Sequence, residues 1–164
     1  MNSQLVIESL DLKGLQNLAE RLVRCLPRRL TMGLVGTLGA GKTTLVQAIS
    51  QAMGVDVADV TSPTFTLLQS YRSGEQTLHH LDAYRVADED EFLELGVEEL
   101  FDDEQAWTLV EWADRVADVM PQETLWLDIR IDQQPDLRKV EMQTSDRGLA
   151  DVLEKALQEL MPRG

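Results

Sequence analysis

Cysteine is almost missing from this chain: Cys25 is the only one in 164 residues. That excludes an internal disulfide and a cysteine-built zinc site, and it suits a reducing cytoplasm. Cys25 falls in an apolar helical pattern, so a buried small hydrophobe is expected there rather than a nucleophile. Long hydrophobic runs are also missing. Without about 18 consecutive apolar residues, no membrane-spanning helix and no membrane partner are expected. The opening Met1-Asn2-Ser3-Gln4-Leu5-Val6-Ile7-Glu8 lacks a basic region followed by an apolar core, so it does not read as a secretory signal. Bases are missing where acids are densest. Asp88 to Glu104 holds ten acids and no Lys or Arg, within a net charge of −14. Residues 1–82 balance seven acids with seven bases, whereas residues 83–164 carry 22 acids against eight bases. Such a surface repels phosphate backbones, so broad nucleic-acid binding is not expected. It is either a solvated face or a docking face for a basic protein, and it begins six residues after Asp82.

What is present is a complete phosphate-binding loop. Residues 36–43 read Gly36-Thr37-Leu38-Gly39-Ala40-Gly41-Lys42-Thr43, matching G-x-x-x-x-G-K-[ST] at every fixed position. The three glycines let the backbone fold tightly and aim N–H groups inward at an anion. Lys42 supplies a mobile cation for β- and γ-phosphates, and Thr43 offers a hydroxyl to Mg²⁺. The flanks agree with the motif. Leu30–Val35 is a short apolar run of the buried parallel-strand type. Thr44 to Met53 has apolar residues at helical spacing and stops at Gly54, and the helix N-terminus faces the anion.

The remaining pattern fits one α/β domain over residues 1–164. Leu5-Val6-Ile7 reads as a strand, and Leu12 through Leu26 as an amphipathic helix ended by Pro27. Thr66–Tyr71 and Thr77–Asp82 read as a hairpin turning at Ser73-Gly74. Glu91–Leu95 reads as a short helix closed by Gly96, and Ala106–Val110 as a buried strand ending at Glu111. Residues 123–132 and 137–144 read as a second hairpin, and Asp146 caps a final helix running to Leu160. Helices on both sides of one sheet imply a three-layer, P-loop NTPase-like domain. With two hairpins, its central sheet should be mixed but mostly parallel.

Two acids stand where α/β folds gather ligands, at the ends of apolar strands. Asp82 and Glu111 are each candidates to hold Mg²⁺, directly or through water, or to place the attacking water. Thr64, in Ser62-Pro63-Thr64, is a candidate γ-phosphate sensor or simply part of a turn. His79 and His80 are adjacent, so on a strand they face opposite sides and cannot share a metal. Trp112 either stacks on a ligand or packs. No arginine is placed by motif as a transition-state finger. Guanine-specific N-K-x-D is missing and no D-x-x-G follows the loop, so adenine is the expected base, with ATP or ADP and Mg²⁺ as cofactors. A small-molecule kinase would share this pattern, and a nucleotide-sensing adaptor would need only the binding half.

The order G-T-L-G-A-G-K-T-T (36–44), S-P-T-F (62–65), H-L-D-A-Y-R (80–85), E-L-G (94–96) and E-W (111–112) resembles the TsaE family, across nearly the whole chain. One departure is Thr37, where that family usually carries Asp. The position lies in the variable part of the loop. The resemblance implies a Mg²⁺-dependent ATPase, weak alone, that supports a TsaB–TsaD complex in forming threonylcarbamoyladenosine at adenosine 37 of tRNAs reading codons that start with A. By the same resemblance Lys42 neutralises phosphate, Thr43 and Glu111 hold Mg²⁺, Thr64 belongs to a switch and Asp82 positions water. Loop residues 36–44 would bind nucleotide, Arg138 is a candidate adenine contact, and tRNA would be met only through the partner complex.

Overall fold

The computed structural model describes residues 3–55 and 67–161. Thr64 and the rest of the S-P-T-F segment lie outside the described residues, as does Thr66. One seven-stranded sheet runs in the order β1-β7-β6-β2-β5-β4-β3. Its strands are β1 Ser3–Leu10, β2 Leu30–Val35, β3 Leu68–Ser73, β4 Gln76–Asp82, β5 Ala106–Glu111, β6 Leu125–Ile131 and β7 Arg138–Thr144. The central four, β6, β2, β5 and β4, are mutually parallel. β3 and β7 run the other way, each as one arm of a hairpin. β1 pairs antiparallel with β7 and so shares the central direction. Five of seven strands therefore point one way, giving the mixed, mostly parallel sheet that the two hairpins imply.

Helices cover both faces. On one lie α1 Leu12–Cys25, α2 Lys42–Ala52 and α5 Arg147–Leu157. Their apolar stripes, including Leu15, Leu18 and Leu22 of α1 and Leu45 and Ile49 of α2, close over Met32, Leu34, Leu109 and Leu127. On the other lie α3 Glu89–Leu93, α4 Val97–Phe101 and a 3₁₀ stretch, Ala113–Val119. Phe92, Val97 and Phe101 pack there against Leu81 and Val110. Burial on both faces explains why β2 and β5 read as near-continuous apolar runs, interrupted by Thr31 and Thr108 before the acid at Glu111. Among the described residues no helix is long and apolar enough to cross a membrane.

Local chemistry sets the helix ends. Asp11 accepts from Gly14 N at 2.7 Å and starts α1, Asp88 accepts from Glu91 N at 2.9 Å and starts α3, and Asp146 accepts from Leu149 N at 3.1 Å and starts α5. The α-helical part of α5 ends at Leu157, and a 3₁₀ turn continues to Leu160. The sequence reading places the short helix at Glu91–Leu95 where α3 spans Glu89–Leu93, and it misses α4 and the 3₁₀ stretch. Cys25 is exposed rather than buried. It is the last residue of α1, and the following Leu26 leaves the helix in an extended conformation and takes the buried position instead.

The acidic segment is also more structurally engaged than its composition suggests. Asp88 and Glu91 cap α3, Asp102 pairs with Arg29 at 3.3 Å, and Asp103 meets His79 at 3.4 Å. α3 packs on the 3₁₀ stretch that follows Trp112, whereas Phe101 and Asp102 reach Arg29 beside the start of β2. The segment therefore runs away from the phosphate loop rather than lying wholly beside it.

Candidate functional site

In-register parallel pairing builds the site. Leu34 of β2 pairs with Glu111 of β5, and Glu111 pairs with Asp82 of β4. Three strands thus end flush, and the loop springs from the end of β2. In open α/β sheets this C-terminal edge is where ligands bind. Asp82 is 5% exposed and Glu111 2%, so both are held by the fold rather than solvated at a rim.

The loop backbone has the conformation its glycines allow. Gly36, Gly39 and Gly41 all have positive φ, at 152°, 80° and 111°. A Cβ on Gly36 would lie 2.5 Å from the Ile129 carbonyl oxygen, so the loop leaves β2 pressed against β6. A Cβ on Gly39 would meet nothing within 4 Å, because that residue faces open space. Arg138 grips the loop from β7. Its Nε donates to Ala40 O at 2.6 Å, and its Nη1 donates to the Pro135 and Leu137 carbonyls at 2.7 and 3.1 Å. The guanidinium stands beside Gly41.

Lys42 and Thr43 open α2, with Gly41 as its N-cap. The Lys42 ammonium donates to Gly36 O at 2.6 Å and Thr37 O at 2.8 Å, and sits 3.9 Å from the centre of the Trp112 ring. Burial holds its pKa below the usual lysine range, although Glu111, Asp114 and Asp82 pull it upward. The cation is thus parked on exchangeable carbonyl acceptors. The Thr43 hydroxyl donates to Oε1 of Glu111 at 2.9 Å. Asp82 Oδ1 accepts from Tyr84 N at 2.8 Å, turning the chain sharply after β4. Trp112 takes a left-handed backbone, φ 58°, directly after Glu111, and its ring meets Tyr84 at 4.8 Å. Strained backbone of this kind collects at functional sites.

These groups share one open cleft of about 390 Å³. Lys42, Thr43, Thr44, Asp82 and Glu111 line it, with Leu38, Gly39 and Gly41 on the loop side and Trp112 opposite. Arg85 lines it too. The sequence reading names Arg138 at the nucleotide and gives Arg85 no role, yet Arg85 ends the H-L-D-A-Y-R run three residues beyond Asp82, and that short offset was the available signal. Two carboxylates therefore face two side-chain cations around a loop shaped for an anion. Among the described residues no group of three His, Cys, Asp or Glu side chains gathers to hold a metal alone. Mg²⁺ requires none, since one or two protein oxygens plus phosphates and water complete its shell. The Thr43 hydroxyl and Glu111 carboxylate are hard oxygen donors of that kind, already within contact of each other. His79 and His80 do face opposite ways. His79 meets Ser70 and Asp103, and His80 meets Glu111.

The family profile described as "Threonylcarbamoyl adenosine biosynthesis protein TsaE" matches residues 10–140. Among curated proteins, the "tRNA threonylcarbamoyladenosine biosynthesis protein TsaE" of Bacillus subtilis is 42% identical over 97 residues, covering 59% of this chain and 59% of its own length. The protein of that name from Rickettsia bellii is 30% identical over 131 residues, covering 80% of this chain and 88% of its own. Among solved structures, the crystal structure of Bacillus subtilis YdiB superposes with a TM-score of 0.78 at 26% identity, covering 97% of each chain.

Proposed function

We propose, given that the chain belongs to the TsaE family, that it binds and hydrolyses ATP with Mg²⁺ in support of threonylcarbamoyladenosine formation on tRNA. The observation that carries this reading is the convergence of Lys42, Thr43, Asp82 and Glu111 on one cleft at the mouth of a complete phosphate loop. The loop's backbone and the N-terminus of α2 would cradle the phosphates, with residues 36–44 as the nucleotide contacts. Lys42 would trade the Gly36 and Thr37 carbonyls for β- and γ-phosphate oxygens. Thr43 and Glu111 would hold Mg²⁺, which neutralises phosphate charge when bound. Asp82 is the candidate for positioning the attacking water, and Thr64 for sensing the γ-phosphate. Arg85 would add a second cation to the lining, and Arg138 a nucleotide contact beside Gly41.

A weak ATPase fits this geometry, because the cleft is open to solvent and a docked partner would close it. The partner in this reading is the TsaB–TsaD complex, which would hold the tRNA and carry out transfer at adenosine 37, in the cytoplasm. The strongly acidic surface supports protein docking over direct tRNA contact.

Calorimetric titration with ATP, ADP and GTP, with and without Mg²⁺, tests the nucleotide half. ATP and ADP should bind with a Mg²⁺ requirement, and Lys42→Ala should lose phosphate-dependent affinity. Equal or tighter GTP binding would remove the adenine assignment. Reconstitution tests the pathway half. The chain is added to TsaB, TsaD, tRNA, ATP, threonine, bicarbonate and the enzyme that makes the threonylcarbamoyl adenylate. Multiple-turnover modification should depend on it. Turnover unchanged by its omission would refute the role, and a phosphorylated metabolite in place of free phosphate would point to a kinase.

A further inference from the structure

His80 lies in β4 with no exposed surface. Its Nε2 is 2.5 Å from Oε2 of Glu111, while among the described residues no hydrogen-bond partner reaches its Nδ1. The other oxygen of that carboxylate, Oε1, accepts from the Thr43 hydroxyl. A continuous line of contacts thus runs from β4 through the end of β5 to the first turn of α2. The register explains how it forms. Asp82 pairs with Glu111, so His80, two residues earlier, shares their face of the sheet.

A fully buried imidazole that satisfies only one of its two nitrogens is an expensive way to fill a core. A leucine would occupy that space without stranding a polar atom. The one side-chain hydrogen bond that His80 makes among the described residues is therefore the reason to have it. A carboxylate accepts and does not donate, so the shared proton belongs on Nε2. The terminal torsion of a glutamate is broad and weakly restrained by itself. Fixing Oε2 from behind removes that freedom and leaves Oε1 aimed at Thr43.

We propose that His80 is a positioning residue: its Nε2–H pins Glu111 so that Oε1 stays directed at the Thr43 hydroxyl, its partner in the pair of oxygens that would hold Mg²⁺. The inference rests on the ATP·Mg²⁺ reading above. Groups that orient a ligating side chain typically change metal affinity or activity about 10–100-fold when removed. The Mg²⁺ dependence of nucleotide binding should shift by that factor, while binding of the nucleotide to the loop alone should not.

The test compares His80→Leu, His80→Gln and His80→Asn in the full chain. ADP affinity is measured by calorimetry without Mg²⁺ and across a Mg²⁺ series, with Tm recorded for each variant. Leu should leave Mg²⁺-free ADP affinity within about twofold and raise the Mg²⁺ concentration needed for tight binding by about 10-fold or more. Gln, whose amide N–H reaches about as far as Nε2, should recover most of that loss. Asn, whose amide ends near the Nδ1 position, should not. If Leu fails to fold, the Gln–Asn contrast still decides. Wild-type Mg²⁺ dependence in Leu, or equal behaviour of Gln and Asn, overturns the positioning role. A role in packing alone would lower Tm and both affinities together, which also overturns it. A wild-type chain that binds Mg²⁺–ADP while Leu matches it defeats this inference alone. A wild-type chain that binds no nucleotide defeats the ATP reading and this inference with it.

Discussion

Replacing Gly36 by alanine should damage the fold more than the same change at Gly39, although both sit in the same loop. At Gly36 two costs add. Its φ of 152° lies where L residues rarely go, which costs about 1–3 kcal/mol. Its new Cβ would lie 2.5 Å from the Ile129 carbonyl oxygen, a backbone atom of β6. That atom cannot rotate away as a side chain would, so β2 and β6 must part by several tenths of an ångström where Val35 pairs with Asp128. Overpacking of this kind costs about 1–3 kcal/mol. Together the loss is about 2–6 kcal/mol, and at roughly 2–4 °C per kcal/mol Tm falls by about 4–24 °C. Gly39 carries only the conformational cost, because nothing lies within 4 Å of its added Cβ. With φ at 80° the loss is about 1–2 kcal/mol, or about 2–8 °C. Circular dichroism melts of the two variants, run without nucleotide, measure the difference. Gly36→Ala melting at or above Gly39→Ala would refute the argument, because it would mean the β2–β6 contact does not resist the methyl group.

Three further outcomes follow from the described groups. Lys42→Met should abolish phosphate-dependent binding and lower Tm only modestly. The burial that depresses the lysine pKa makes its charge costly, which offsets part of the loss of its hydrogen bonds to Gly36 O and Thr37 O, and a drop beyond about 8 °C (roughly 2 kcal/mol or more) would contradict this. The Asp103 carboxyl is held below the usual aspartate range by the Gln105 backbone N–H and by His79, so its contribution is present above the unfolded pKa and lost as pH falls through the folded one. Asp103→Asn should therefore lower Tm at pH 7 and leave it unchanged in strong acid, and an equal drop at both pH values would remove the cause. Neutralising Asp90, Glu94, Glu98 and Glu99, which hold none of the caps and ion pairs described above, should leave ATP affinity within about twofold and flatten the salt dependence of partner binding. Partner affinity indifferent to salt in the unmodified chain would place docking elsewhere.

How much of this was legible in the chain depends on the distance over which each feature is specified. The phosphate loop is local. Its fixed residues span eight positions, and the strand before it and helix after it announce themselves by apolar spacing, so all three appear where the pattern puts them. Asp82 and Glu111 were legible for a different reason: in a parallel sheet, the acid after an apolar strand arrives at the ligand edge whatever lies between. The links between them were not legible. Thr43 and Glu111 are 68 positions apart and His80 and Glu111 are 31 apart, and only the register of β2, β5 and β4 makes them neighbours. One residue of slip in β4 would turn His80 and Asp82 to the far face, toward Phe92 and Val97, and bring His79 to Glu111 in their place. The buried apolar residues of β4 guard against that slip: Leu78 packs among the α1–α2 core and Leu81 among the α3–α4 core. The packing that stabilises β4 is thus also what aims its polar residues. A substitution such as Leu78→Ala, far from the cleft in chemistry, should loosen Mg²⁺ dependence as well as stability, because register and site are set by the same contacts.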